Sequence, residues 1–260
     1  MTSETPVTPN HDFLAAIFDG LSADERPMVL GIKGSIGSIT KCPAGSGWTL
    51  GADTGDAMLN WNFTLSTYVP EGGAYRRRKS QFHRAFGVML DDIGTKAAPR
   101  ERLNACPPSY LIETSAGNFQ AGYLFAQPSS DLTRVEALQK ALAKAGLCDP
   151  GSNGPSARMD RLPVGVYGKY SPPHTCRLVE WYSERRYSIE QMAELLELDA
   201  AEPAGTRKKT RTRDKAAAID RNAEADVYRP RAAENAVLAA LRQGGHYKQP
   251  LGGMTSPAPG

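Results

Sequence analysis

Apolar positions change their period several times along the first 200 residues, and each change marks an element. At residues 12–21 (DFLAAIFDGL) Phe13, Leu14, Ile17 and Phe18 recur on one helical face, which predicts a short amphipathic helix. Runs rich in β-branched and aromatic residues then predict strands at 27–32 (PMVLGI), 61–69 (WNFTLSTYV), 86–90 (FGVML), 110–114 (YLIET) and 120–126 (QAGYLFA), separated by Gly, Pro or polar turns. Helical spacing returns after Asp131, where Leu132, Val135, Leu138, Ala141 and Leu142 form a stripe that Gly146 ends. Ser188 and Gln191 make a capping-box pattern, and Ile189, Met192, Leu195 and Leu196 supply the apolar face of a further helix. Strands and helices alternate, so the core is expected to be mixed α/β.

The pattern fails at residues 202–231, a charged stretch without a usable hydrophobic period. This predicts a main domain over 1–200, a charged linker over 201–231 and a short helical or disordered segment over 232–260, where only 232–242 (AAENAVLAALR) looks helical. The tail has the composition of a linker to a further domain of a longer protein. Hydrophobic residues at 40% and charged residues at 23% suit a globular chain, and a formal charge of +3 is compatible with a nucleic-acid partner without demanding one. No apolar run approaches the roughly 18 to 20 residues that cross a bilayer, and the N-terminus lacks the pattern of a secretory leader. A cytoplasmic protein with no membrane partner is expected. Cys42, Cys106, Cys148 and Cys176 are scattered without a C-x-x-C pair, so free thiols are expected.

Three segments carry candidate chemistry. In LDDIGTK, Asp91 and Asp92 end an apolar run, so adjacent carboxylates emerge where a strand meets a loop. Two such charges at about 4 Å repel by roughly 4 kcal/mol at an effective dielectric of 20, a penalty that a bound Mg²⁺ or Mn²⁺ removes. Read alone, Asp92 merely begins the Ile93-Gly94 turn. In SAGNFQ, Ser115, Gly117, Asn118 and Gln120 offer a small polar loop able to approach an anion, or simply a hairpin turn. In CDPGSNGPSARMDRLPVGVYGKY, Asp149 is followed by Arg158, Arg161 and Lys169, cations suited to phosphate, and Asp160 competes with Asp149 for the carboxylate role.

Together these segments resemble the archaeo-eukaryotic primase superfamily, most closely its RepB-like primase and prim-pol members from plasmid and phage replication proteins. The resemblance covers roughly residues 60–190. Its first motif, a strand ending in acids, matches Asp91 and Asp92; its second, a small polar loop ending in His, matches Ser115 through Gln120 with Gln in the His position. Its third, an Asp followed by R-x-x-R-L-P-G and N-x-K, matches Asp149, Arg158, Arg161, Leu162, Pro163 and Lys169, with Tyr167 in place of Asn and Val164 ahead of Gly165.

The resemblance implies an α+β fold with an RRM-like catalytic sheet packed on a second α/β layer, followed by a mainly helical C-terminal extension. It further implies a DNA primase and DNA polymerase, a nucleotidyltransferase acting on single-stranded DNA template with nucleoside triphosphates and Mg²⁺ or Mn²⁺. Asp91, Asp92 and Asp149 are the implied metal ligands and catalytic acids. Ser115, Asn118, Gln120, Arg161 and Lys169 are the implied triphosphate contacts, with Lys96 and Arg158 beside them. Arg76, Arg77, Arg78 and Lys79 form a basic run available to template phosphates, or a solvated turn. A helicase, or a helicase domain of a longer protein, is the expected partner; the chain itself holds no G-x-x-x-x-G-K-[ST] and is not expected to be an NTP-driven helicase. The competing function is a non-catalytic initiator module that binds origin DNA and recruits a helicase. A nicking relaxase is disfavoured by the absence of an H-x-H pair.

Overall fold

The computed structural model describes residues 8–33, 54–149, 154–156, 158–169 and 171–198. All of them belong to the first of two units, residues 1–206; the second, 207–260, lies outside the described residues, as do the expected linker and the helix at 232–242.

The helices begin where their caps predict. Asp131 accepts a hydrogen bond from the Arg134 backbone N–H and opens α2 (Leu132–Lys144). Ser188 and Gln191 form the reciprocal capping box of α3 (Ile189–Leu195). The first helix, α1 (Asn10–Ile17), is shorter at its C-terminal end than its apolar stripe suggested, because the chain leaves helical geometry at Phe18 and turns at Gly20 with φ +70°.

Five long strands match the five apolar runs: β1 (Arg26–Ile32), β2 (Asn60–Tyr68), β3 (Phe82–Ile93), β4 (Tyr110–Ser115) and β5 (Asn118–Ser129). Shorter ones follow, namely β6 (Asp160–Arg161), β7 (Val166–Tyr167), β8 (His174–Thr175), β9 (Arg177–Trp181) and β10 (Arg186–Tyr187). Among the described residues they build an eight-stranded sheet in the order β1-β2-β3-β5-β4-β9, with β6 pairing β2 and β10 pairing β5, and a separate β7-β8 ribbon. Every pairing is antiparallel except β10 with β5. The fold is α+β, as expected.

Strand alternation sends side chains to two cores. Leu90, Leu111, Ala121 and Tyr123 face α2 and α3, where Val135, Leu138, Leu142 and Met192 pack on them. Phe63, Phe86, Met89, Tyr110 and Leu124 face the opposite way and meet Phe13, Leu14 and Ile17 of α1. Phe13 sits edge-on to Tyr110 with ring centroids 5.1 Å apart.

One irregularity in this sheet positions the site. β2 pairs β3 only near its end, at Ser66↔Ala85 and Thr67↔Arg84, and further back it pairs β6, at Asn62↔Arg161 and Phe63↔Asp160. The strands diverge, and β6 occupies the edge of β2 that β3 leaves. Asn10 fastens the chain beyond β6: its side chain donates to the Val164 carbonyl (2.7 Å) and accepts from the Val164 N–H (2.8 Å).

Candidate active site

Adjacent residues of a regular strand point to opposite faces, so Asp91 and Asp92 could not share a site on an unbroken β3. The strand is broken there. Between the pairs Leu90↔Ala121 and Ile93↔Phe119, β3 carries one residue more than β5, and Asp92 takes φ +59°. This bulge turns both carboxylates toward one row of β5 side chains. Gln120 Nε2 donates to Asp91 Oδ1 (3.3 Å) and Asn118 Nδ2 donates to Asp92 Oδ1 (3.3 Å). Asp92 also begins the turn, its carbonyl accepting from the Ala97 N–H at 3.0 Å. The two readings of this residue are therefore compatible. Gly94 completes the turn at φ +84°, where an added Cβ would lie 2.5 Å from the Gly117 carbonyl oxygen. The polar hairpin tip is thus pressed against the acidic bulge.

Gln120 links the bulge to β6. Its Oε1 accepts from the Arg161 backbone N–H (2.8 Å) while its Nε2 holds Asp91, so one buried amide spans the gap between the two segments. Arg158 Nη2 lies 3.4 Å from Asp91 Oδ2. Arg161 lies over the ring of Tyr167 at 4.4 Å.

Asp160 is 2% exposed, and burial pushes its pKa up to about 7, with Arg158 opposing, Asp91 adding to the rise and the Tyr110 hydroxyl opposing. The same neighbourhood raises Tyr110, through burial first and the Asp160 charge second. Burial lowers the pKa of Arg161, against the pull of Cys176, Tyr167 and Asp91. Arg158 Nε and Arg161 Nη1 are buried here without a hydrogen-bond partner, and Asp160 Oδ1 and Tyr110 Oη, although their groups lie near one another, make no well-aligned hydrogen bond. Buried polar atoms of a native fold are nearly always paired, so such a group in one place marks a site that a polar ligand completes.

The other expected site residues are placed as follows. Asp149 is exposed and directly follows Leu147 and Cys148, which pack in the core on the α2 side of the sheet. Asp160, the competing acid, is the one beside Asp91. Ser115 pairs Asn118 at the hairpin, and Lys96 Nζ stands 3.9 Å from Asp92 on the exposed rim. Lys169 is exposed between β7 and β8. Arg76, Arg78 and Lys79 are exposed and Arg77 is half-buried, all ahead of β3. They sit at the end of that strand away from Asp91, roughly 30 Å along it at 3.4 Å per residue. Arg78 is 3.7 Å from Glu71, and Lys79 pairs with Glu136 of α2. Tyr110 carried no signal in the sequence beyond that of a strand aromatic.

Among the described residues no three carboxylate, imidazole or thiol side chains converge closely enough to cage a metal ion unaided, so Asp91, Asp92 and Asp149 form no such set. Asp91 and Asp160 are nonetheless hard oxygen donors close enough for the Asp91 charge to act on Asp160, and the Asp160 Oδ1 atom is unpartnered. That suits Mg²⁺ or Mn²⁺, which take one or two carboxylates and fill the remaining positions with water and substrate phosphates.

No family model matches the chain, and no curated protein matches it. The chain is similar to solved primase structures. One is the AEP domain of the cyanophage S-2L primase-polymerase, at 16% identity and a TM-score of 0.49, covering 71% of this chain and 95% of that one. Another is the catalytic domain of primase RepB′ in complex with initiator DNA, at 20% identity and 0.36, covering 54% of this chain and 63% of that one. A third is primase RepB′, at 17% identity and 0.37, covering 71% and 51% respectively. Among the described residues no helix is long and apolar enough to cross a membrane.

Proposed function

We propose that this chain is a primase-polymerase of plasmid or phage replication, which joins nucleotides on single-stranded DNA from nucleoside triphosphates. The observation that carries the reading is the buried cluster of Asp160, Arg158 and Arg161 beside Asp91, with unsatisfied atoms of both charges. A triphosphate with its cation has both signs to match. The motif order that resembles the archaeo-eukaryotic primases supports the same assignment.

In this reading Asp91 and Asp160 would hold Mg²⁺ or Mn²⁺ directly, with Asp92 reaching it through water and Asp149 the alternative acid to Asp160. The cation, when bound, supplies Lewis acidity at the reacting phosphate and neutralises charge on the departing pyrophosphate. Arg158 and Arg161 orient the triphosphate through guanidinium N–H groups, which match phosphate oxygens in fixed geometry. Gln120 holds Asp91 and β6 in register, so that the acids and the cations keep one spacing. Asn118 sets the Asp92 carboxylate, while Ser115, Lys96 and Lys169 stand at the rim for outer phosphate contacts. Arg76, Arg77, Arg78 and Lys79 hold template phosphates at the far end of β3. A helicase, or a helicase domain of a longer protein, would supply the single-stranded template.

The test is incorporation of labelled nucleotides by the purified chain on single-stranded template with Mn²⁺. Short products are expected from the wild type and none from the variant carrying Asp91→Ala with Asp92→Ala. Duplex origin binding with no incorporation under any metal would instead support a non-catalytic initiator.

A further inference from the structure

His174 enters neither the motifs nor the cluster described above, yet its Nε2 is buried without a hydrogen-bond partner. Its position gives that atom a direction. Tyr167 and His174 are directly paired across the β7-β8 ribbon, so their side chains share one face of it. The Tyr167 ring carries the Arg161 guanidinium at 4.4 Å, and Arg161 Nη1 is also unpartnered although the residue is only 6% exposed. The Asp91 carboxylate is near enough to act on the Arg161 charge. The ribbon contacts β4 through both of its strands and β2 through β7, and β2 is the strand whose edge carries β6 with Asp160 and Arg161.

Asp91, Arg161, Tyr167 and His174 therefore form a row from the acidic centre outward, and its two outer N–H-bearing groups are both short of a partner. Resting on the function proposed above, we infer that His174 is a positioning residue for the nucleotide's terminal phosphate. Its Nε2 donates to an outer phosphate oxygen while Arg161 Nη1 takes an inner one, and the Tyr167 ring fixes the spacing between them. An extended polyphosphate with one end on a cation that Asp91 and Asp160 would hold satisfies both open N–H groups. A diphosphate of the same register reaches Arg161 and stops short of His174.

The test uses ligands with no base or sugar: inorganic tripolyphosphate and pyrophosphate, titrated calorimetrically in Mg²⁺ against the full chain and its His174→Ala and His174→Gln variants. His174→Ala is expected to weaken tripolyphosphate roughly tenfold, about 1.4 kcal/mol, and to leave pyrophosphate unchanged. His174→Gln, which retains an N–H, recovers part of the loss. Equal tripolyphosphate affinity in wild type and His174→Ala overturns the inference, as does equal weakening of both ligands or a wild type that binds neither. Because no bond is made in these titrations, a chain that discriminates the two polyphosphates but incorporates nothing refutes the polymerase reading and leaves this one standing.

Discussion

Replacing Asp160 by Asn is expected to stabilise the metal-free protein while removing its activity. The carboxyl is buried, and its pKa rises from 3.8 to about 7 chiefly through desolvation. A carboxyl whose folded pKa exceeds its unfolded value destabilises the fold once ionised. The penalty is absent below about pH 4, grows through the interval between the two values and is complete above about pH 7. A rise of that size amounts to about 4 kcal/mol, and rearrangement of the neighbouring guanidiniums reduces this to on the order of 2–3 kcal/mol. Asn keeps the shape and drops the charge. In a domain of this size that is a rise in Tm of roughly 5–10 °C. Thermal unfolding followed by circular dichroism in EDTA should show this gap at pH 8 and lose most of it at pH 4. Excess Mg²⁺ with nucleotide at pH 8 should close it from the other side, by stabilising the wild type alone. A variant no more stable than wild type at pH 8, or a gap of equal size at both pH values, would refute the reasoning.

Glu25 behaves in the opposite sense. It is fully buried, which works to raise its pKa, but hydrogen bonds from Arg84, Thr67 and the Ser22 backbone hold it at about 2. The stability it contributes, on the order of 2 kcal/mol after allowing for the partial exposure of Arg84, is present above about pH 4.5 and is lost as the pH falls toward 2; Glu25→Gln should flatten that acid limb in a denaturation series. Gln120→Leu should lower incorporation by at least about tenfold and cost about 1–3 kcal/mol in urea unfolding, because the Arg161 N–H loses its acceptor. Unchanged incorporation would remove Gln120 from the site. Gly94→Ala should destabilise by roughly 1–3 kcal/mol, since positive φ and the Gly117 carbonyl both oppose a side chain, whereas Gly20→Ala meets open space and pays for its φ alone.

The long elements were legible because their periods are long. Five apolar runs became β1 to β5, and the caps at Asp131 and Ser188 located α2 and α3. β6, β7, β8 and β10 have two residues each, too few to show alternation, and β9 is a half-exposed edge strand whose Arg177 and Glu180 break the apolar pattern. The acidic pair was visible as residue types, but the bulge that brings both carboxylates to one face is a property of β5 pairing with β3 and leaves no local trace. The acid that comes near Asp91 shows the same limit. Asp149 and Asp160 flank one Gly- and Pro-rich segment and look alike in sequence; pairing of β6 with β2 is what brings Asp160 to Asp91. Tyr110 and His174 looked like an ordinary strand aromatic and an isolated histidine, and only their unpartnered atoms distinguish them.

The most direct measurement is template-directed incorporation by Asp160→Asn and Asp149→Asn side by side, each first shown to be folded. The buried site predicts that the Asp160 variant makes no detectable product while the Asp149 variant stays within a few fold of wild type. Full activity without the Asp160 carboxylate would contradict it.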